Sequence, residues 1–162
     1  MNKLNKKTKL STISIILMLT VSALLIALPT ATAQAQNQTY PFLGISPNPV
    51  GVNQQVLFHL GISAQRTNVA QGWEGLSLTI IDPQGHTSTI EDIRTDSTGG
   101  TGVQYIPTII GTYQVQAHFP EQTVSGFGGD TTYLASSTEF VDLVVQQDPI
   151  EFYPDHALPT EY

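Results

Sequence analysis

Beyond residue 36 apolar and polar side chains alternate at a period of two, the pattern of strands with one face in a core and the other in water. The clearest stretch is Thr112 to Phe119, where Tyr113, Val115, Ala117 and Phe119 fall on one side and Thr112, Gln114, Gln116 and His118 on the other. Leu78 to Ile81 leads through Asp82-Pro83-Gln84-Gly85 into His86 to Ile90. Proline presets φ at the second turn position and glycine closes the turn, so a hairpin is predicted there. Gln55 to Ile62 reads as an early strand, and Thr138 to Gln146 as a late one with Val141, Leu143 and Val145 on one face. Tyr40 to Ile45, Ile93 to Thr95 and Val103 to Ile106 add shorter segments. No window after residue 36 carries an i, i+3, i+4, i+7 apolar stripe, and no internal repeat is present.

About seven or eight strands at this rhythm predict an all-β fold, an immunoglobulin-like β-sandwich over residues 36–147. In Tyr105-Ile106-Pro107-Thr108-Ile109-Ile110-Gly111-Thr112-Tyr113, a proline-containing strand end passes through a turn ending at Gly111 to a tyrosine that opens the cleanest strand. That is where a sandwich places a tyrosine corner, so Tyr113 and Gly111 are expected to be structural. Trp73, the single tryptophan, precedes the Leu78 strand closely, and partial burial at one end of the sandwich is expected for it.

The first 35 residues have another character. Lys3, Lys6, Lys7 and Lys9 precede an apolar run from Ile13 to Leu28, followed by Pro29 and the small residues Ala31 to Ala35. This is the plan of a signal peptide, with cleavage after Ala33 or Ala35, and the competing reading is an uncleaved anchor. Both put the remainder outside the cytoplasm, secreted or at the cell surface. Asn37-Gln38-Thr39 is a glycosylation sequon, expected on a flexible end.

Charge and composition then narrow the function. The 162 residues hold 6 Lys+Arg, 13 Asp+Glu and no Cys. Beyond residue 35 only Arg66 and Arg94 face all thirteen acids, a net charge of −11. So acidic a surface repels phosphate backbones and excludes nucleic acid as a main partner. Without cysteine there is no disulfide scaffold or thiolate metal site, and the fold must stand on packing. His59, His86, His118 and His156 are scattered without metal-ligand spacing, and His118 falls on the wet face of its strand. Glu91, Asp92, Asp96 and Asp130 offer loop oxygens to a hard cation, but no D-x-D-x-D-G loop is present, and solvated surface acidity is the better reading. No G-x-S-x-G element or paired acid and base appears. No enzyme activity, metal or cofactor is therefore expected.

Phe127, Tyr133, Phe152 and Tyr153 fall in segments that read as loops or tails, where exposed rings would serve binding. The plainer expectation is that Phe127 and Tyr133 plug the sandwich end beneath the Gly-rich stretch Ser125 to Asp130. Residues 148–162 carry Pro149, Pro154 and Pro159 with Asp148, Glu151, Asp155 and Glu161, suiting an extended linker.

Four pieces taken in order, Ser46-Pro47-Asn48-Pro49-Val50-Gly51, IIDPQGHT (Ile80 to Thr87), YIPTIIGTYQVQAHFP (Tyr105 to Pro120) and VVQQDPI…ALPTEY (Val144 to Tyr162), resemble a group of secreted archaeal proteins. In that group an N-terminal Ig-like domain precedes a β-propeller of the pyrroloquinoline-quinone-like repeat type. The resemblance implies a module that spaces, shields or docks a neighbouring domain or a cell-surface protein, and it transfers no catalytic residue. The alternatives are a ligand-binding module, for surface glycans foremost, and the leading domain of a propeller protein, which would itself hold no quinone. Any contact with the membrane is expected only through an uncleaved N-terminal segment.

Overall fold

The structure is a computed structural model that describes residues 14, 16–18, 35–66, 68, 70–126 and 129–151. The chain divides into two compact units, Met1–Ala33 and Gln34–Tyr162. In the first, residues 14 and 16–18 are helical and exposed, and no helix among the described residues is long and apolar enough to cross a membrane. The expected cleavage region up to residue 34 lies outside the described residues, as do Phe127, Phe152, Tyr153, His156 and the rest of the tail beyond residue 151.

The second unit is an all-β sandwich. Its strands are β1 (Ala35–Asn37), β2 (Pro41–Ser46), β3 (Val50–Gly51), β4 (Val56–Ile62), β5 (Leu76–Ile81), β6 (Thr87–Ile93), β7 (Gly100–Tyr105), β8 (Gly111–Phe119), β9 (Gln122–Gly126), β10 (Gly129–Tyr133), β11 (Ser136–Ser137) and β12 (Val141–Gln146). One sheet has the order β2-β4-β7, and the other runs β3-β12-β8-β5-β6 with β11 paired to β8. A third, small sheet has the order β1-β10-β9. Most neighbours are antiparallel, but β3 lies parallel to β12 and β1 parallel to β10.

The core follows from the alternation. Val56, Phe58, Leu60 and Ile62 from β4 meet Leu76, Leu78 and Ile80 from β5, Tyr113, Val115, Ala117 and Phe119 from β8, and Leu143 and Val145 from β12, all buried. Burying such side chains is worth roughly 1.5–3 kcal/mol each. The 82–85 turn forms as its sequence predicts: Asp82 Oδ1 accepts the N–H groups of Gln84 and His86, and the Gly85 N–H bonds the Asp82 carbonyl. In β6 the pairing slips opposite Leu76 and Leu78, and Asp92 takes φ +57°. This bulge adds one residue, so Ile90 and Ile93 both turn inward and Arg94 turns out, which strict alternation would not allow.

The pairings define two poles. At one, the ends of β2, β7 and β12 meet the starts of β3, β4 and β8. Here the Tyr113 hydroxyl accepts the backbone N–H of Ile109 at 3.0 Å, four residues upstream, and its ring stands edge-on to Tyr105. Gly111 has φ +133°, and a Cβ there would lie 2.8 Å from Pro83 Cβ, so the loop closes on the 82–85 turn only with glycine. Attachment at this pole runs past the last strand. The Gln54 side chain receives the Gly51 and Ile150 N–H groups and donates to the Ile150 carbonyl, tying residues 148–150 to the sandwich although sequence places them in a free linker.

Tyr113→Phe leaves the Ile109 N–H without its acceptor and is expected to cost about 1–3 kcal/mol; an unchanged urea midpoint would refute the bond's importance. Gly111→Ala combines an unfavourable φ with the Pro83 clash, and a loss of about 2 kcal/mol or more is expected in the same titration.

Candidate functional site: an arginine cleft beside Trp73

At the opposite pole the connections β4–β5 and β6–β7 close over Trp73. Its backbone N–H donates to Thr95 Oγ1 at 2.8 Å, its carbonyl accepts the Thr95 N–H at 2.9 Å, and its indole Nε1–H reaches the Ala64 carbonyl at 2.7 Å. Gly72 makes this approach possible, because a Cβ there would lie 1.7 Å from the Thr95 carbonyl oxygen. Phe119 and Tyr133 meet the indole edge-on at 5.4 and 4.6 Å, and the Arg66 guanidinium stands 4.8 Å above the ring. Arg66 is held further by its backbone N–H on the Ser97 carbonyl and by Nη2 donating to Gln71 Oε1 at 3.0 Å.

Beside this stack opens a cleft of about 300 Å³ lined by Arg66, Gln71, Gly72, Glu74, Arg94, Gln122 and Thr123. Arg94 enters from the end of β6, turned outward by the bulge, and its Nη1 lies 3.6 Å from Glu74 Oε1, an exposed and loose pair. Gln122 Nε2 donates to the Glu74 carbonyl and joins β9 to the β4–β5 connection. The two arginines, which are the only Lys or Arg residues beyond residue 35 and lie twenty-eight positions apart in sequence, thus line one cleft. Two guanidiniums against one carboxylate make a local cationic surface on an acidic domain, suited to an anion rather than to bond-breaking chemistry.

Several residues stand differently from their sequence reading. Trp73 does lie at a sandwich end, but it is 0% exposed rather than partly buried. The cover comes from the β9–β10 hairpin and from Arg66, neither of which alternation reveals. Tyr133 does plug the sandwich end by packing on Trp73, as expected of it, but from within β10 rather than from a loop. Asn37 is exposed, yet it belongs to β1, paired along β10, rather than to a loose end. Two residues on, Thr39 is buried, with its hydroxyl on the Leu134 carbonyl and against Ser136 Oγ. The folded domain therefore hides the threonine half of the sequon.

His118, expected as plain surface, is clamped: Nε2 lies 2.9 Å from Thr79 Oγ1 and Nδ1 2.8 Å from Ser137 Oγ. The Ser137 contact is at nucleophile–base distance. The second ring nitrogen meets the Thr79 hydroxyl, where a catalytic triad places a carboxylate that orients the imidazole.

Among the described residues no three His, Asp or Glu side chains are grouped to hold a metal ion. Asp96 spends its carboxylate on its own loop, where Oδ1 accepts the Thr98 hydroxyl, the Thr98 N–H and the Gly100 N–H. The Thr98 hydroxyl first, and the Gly100 N–H next, hold this carboxyl below its ordinary value. No protein-family model and no curated protein matches this chain.

A lowered carboxyl pKa adds stability above its unfolded value, which is lost as pH falls through the folded one. The loop that backs Trp73 is accordingly expected to loosen only at acid pH. Thr98→Ala should move the Asp96 titration up toward 3.8, read by carboxyl-carbon NMR; an unmoved titration would exclude Thr98 as the cause.

Proposed function

We propose that residues 35–151 form a non-catalytic, immunoglobulin-like module outside the cytoplasm that spaces and docks neighbouring domains or surface proteins. The observation that carries this reading is the path of the chain. It comes in at the Trp73 pole, where β1 is tied along β10, and leaves at the Tyr113 pole, where Gln54 holds Ile150. A module crossed from pole to pole and fastened at each suits insertion in line between other bodies. The strand orders β2-β4-β7 and β3-β12-β8-β5-β6, with β3 parallel to the last strand, support the immunoglobulin-like assignment. The archaeal propeller resemblance belongs to the same proposal and would make the module the leading piece of a larger surface protein.

The aromatic side chains point the same way. Phe58, Trp73, Tyr113 and Phe119 are withdrawn into the core, and Tyr105 and Tyr133 pack against it. The exposed rings among the described residues are Tyr40 at 67% and Phe140 at 44%, one before β2 and the other before β12. A sugar-binding face wants a row of open rings, so the docking reading is preferred to the glycan one.

Intact native cells treated with added protease test the proposal. The protein is expected to be cut from outside and to begin at residue 34 or 36 by mass. A protease-resistant chain still starting at Met1 would overturn the extracellular reading. Retention on a neutral-glycan panel that is lost in Tyr40→Ala or Phe140→Ala would overturn the preference for docking.

A further inference from the structure

We infer that the arginine cleft receives carboxylates from the acidic segment 148–162 of a second copy of this chain, joining copies head to tail. The inference rests on the docking-module reading and names its partner.

The chemistry of the cleft comes first. A guanidinium carries five N–H donors in a planar fork that fits a carboxylate. Arg66 gives one of its hydrogen bonds to Gln71 Oε1 while its face rests on Trp73, which fixes the plane of the fork. Arg94 has Glu74 Oε1 at 3.6 Å, beyond hydrogen-bond reach, so an incoming carboxylate can take its donors without breaking a formed bond. The indole that might have stacked a sugar is fully buried under Arg66 and offers no open ring to the cleft. The site thus favours a carboxylate on a peptide over a carbohydrate.

The acidic segment supplies that chemistry. Residues 148–162 hold Asp148, Glu151, Asp155 and Glu161 and no Lys or Arg, and their three prolines restrict φ, so less backbone entropy is lost on docking. The segment departs from the pole opposite the cleft, where Gln54 fastens Ile150. Nine-residue β8 alone spans about 30 Å of the domain. The eleven residues beyond Glu151 reach at most about 40 Å, so contact with their own cleft would demand nearly complete backward extension. A second copy meets the segment without that demand. Cleft and segment lie at opposite poles, so copies joined in line leave one of each open for further copies, whereas an antiparallel pair exchanging segments would stop at a dimer. The −11 charge of each domain opposes this at long range, but at 0.15 M salt the screening length is about 8 Å and the contact pairs dominate.

The test uses the full chain and a synthetic peptide of residues 148–162 in 0.15 M salt. The emission of Trp73, the single tryptophan, reports on Arg66 directly above it. A saturable change is expected, weakened about tenfold by Arg94→Gln and by Arg66→Gln and strengthened by Glu74→Gln. The Arg94 side chain is more than half exposed, so its variant is expected to separate binding from folding, with an unaltered urea midpoint as the control. A peptide whose acids are replaced by amides is expected to be silent, and binding equal to the parent's would overturn the inference. Galacturonate saturating the cleft with the same arginine dependence, while the peptide does not, would overturn it in favour of an acidic sugar. Sedimentation is expected to show association of the full chain growing with concentration and reduced by Arg94→Gln. Association equal in parent and variant would overturn the head-to-tail arrangement. None of these failures touches the protease result, which judges the module reading separately.

Discussion

The burial of Trp73 is the constraint on which one whole end of this domain depends. A fully buried indole must place its N–H, and the Ala64 carbonyl accepts it; its backbone must close a ladder, and Thr95 supplies both partners. Those bonds bring together the β4–β5 and β6–β7 connections, which have no strand pairing with each other. The remaining faces of the ring are covered by Phe119, Tyr133 and Arg66, so the β9–β10 hairpin and a cation are drawn to the same point. Without Trp73 the Arg66 guanidinium would lose the ring it rests on at one wall of the cleft.

The other pole solves the same problem by different means. A tyrosine hydroxyl accepts one backbone N–H, a glycine lets a loop press on a proline, and a glutamine side chain holds the departing chain. Each of these is a polar or steric device at the rim of an apolar core, and each fixes a loop that hydrophobic packing leaves free. Poles fastened in this way would suit the in-line module proposed above, with the motion of any neighbour left to the linkers.

Charge acts on a different scale from packing. Thirteen acids against two arginines give the chain beyond residue 35 a net negative charge that repels other polyanions whatever their order in the sequence. The two arginines act only by position. A bulge in β6 turns Arg94 outward and a buried ring props Arg66, and together they put guanidinium donors into one cleft of an acidic domain.

Alternation by itself determined the all-β class, the core face of β8, the 82–85 hairpin and the place of Tyr113, because in each case the signal lies within a few consecutive residues. A period of two, or a proline and glycine at fixed turn positions, needs no knowledge of distant chain. The β9–β10 hairpin escaped that reading because Gln122–Gly126 and Gly129–Tyr133 are polar and glycine-rich, with few apolar residues to mark a face. The depth of Trp73, the clamping of His118 and the concealment of Thr39 were also decided only in three dimensions, since each depends on partners at sequence separations of 9 to 97 residues. One clue to the cleft was legible from the start: only two Lys or Arg residues follow residue 35. Their convergence was not, because sequence records how many charges a domain carries, whereas tertiary packing decides which of them meet.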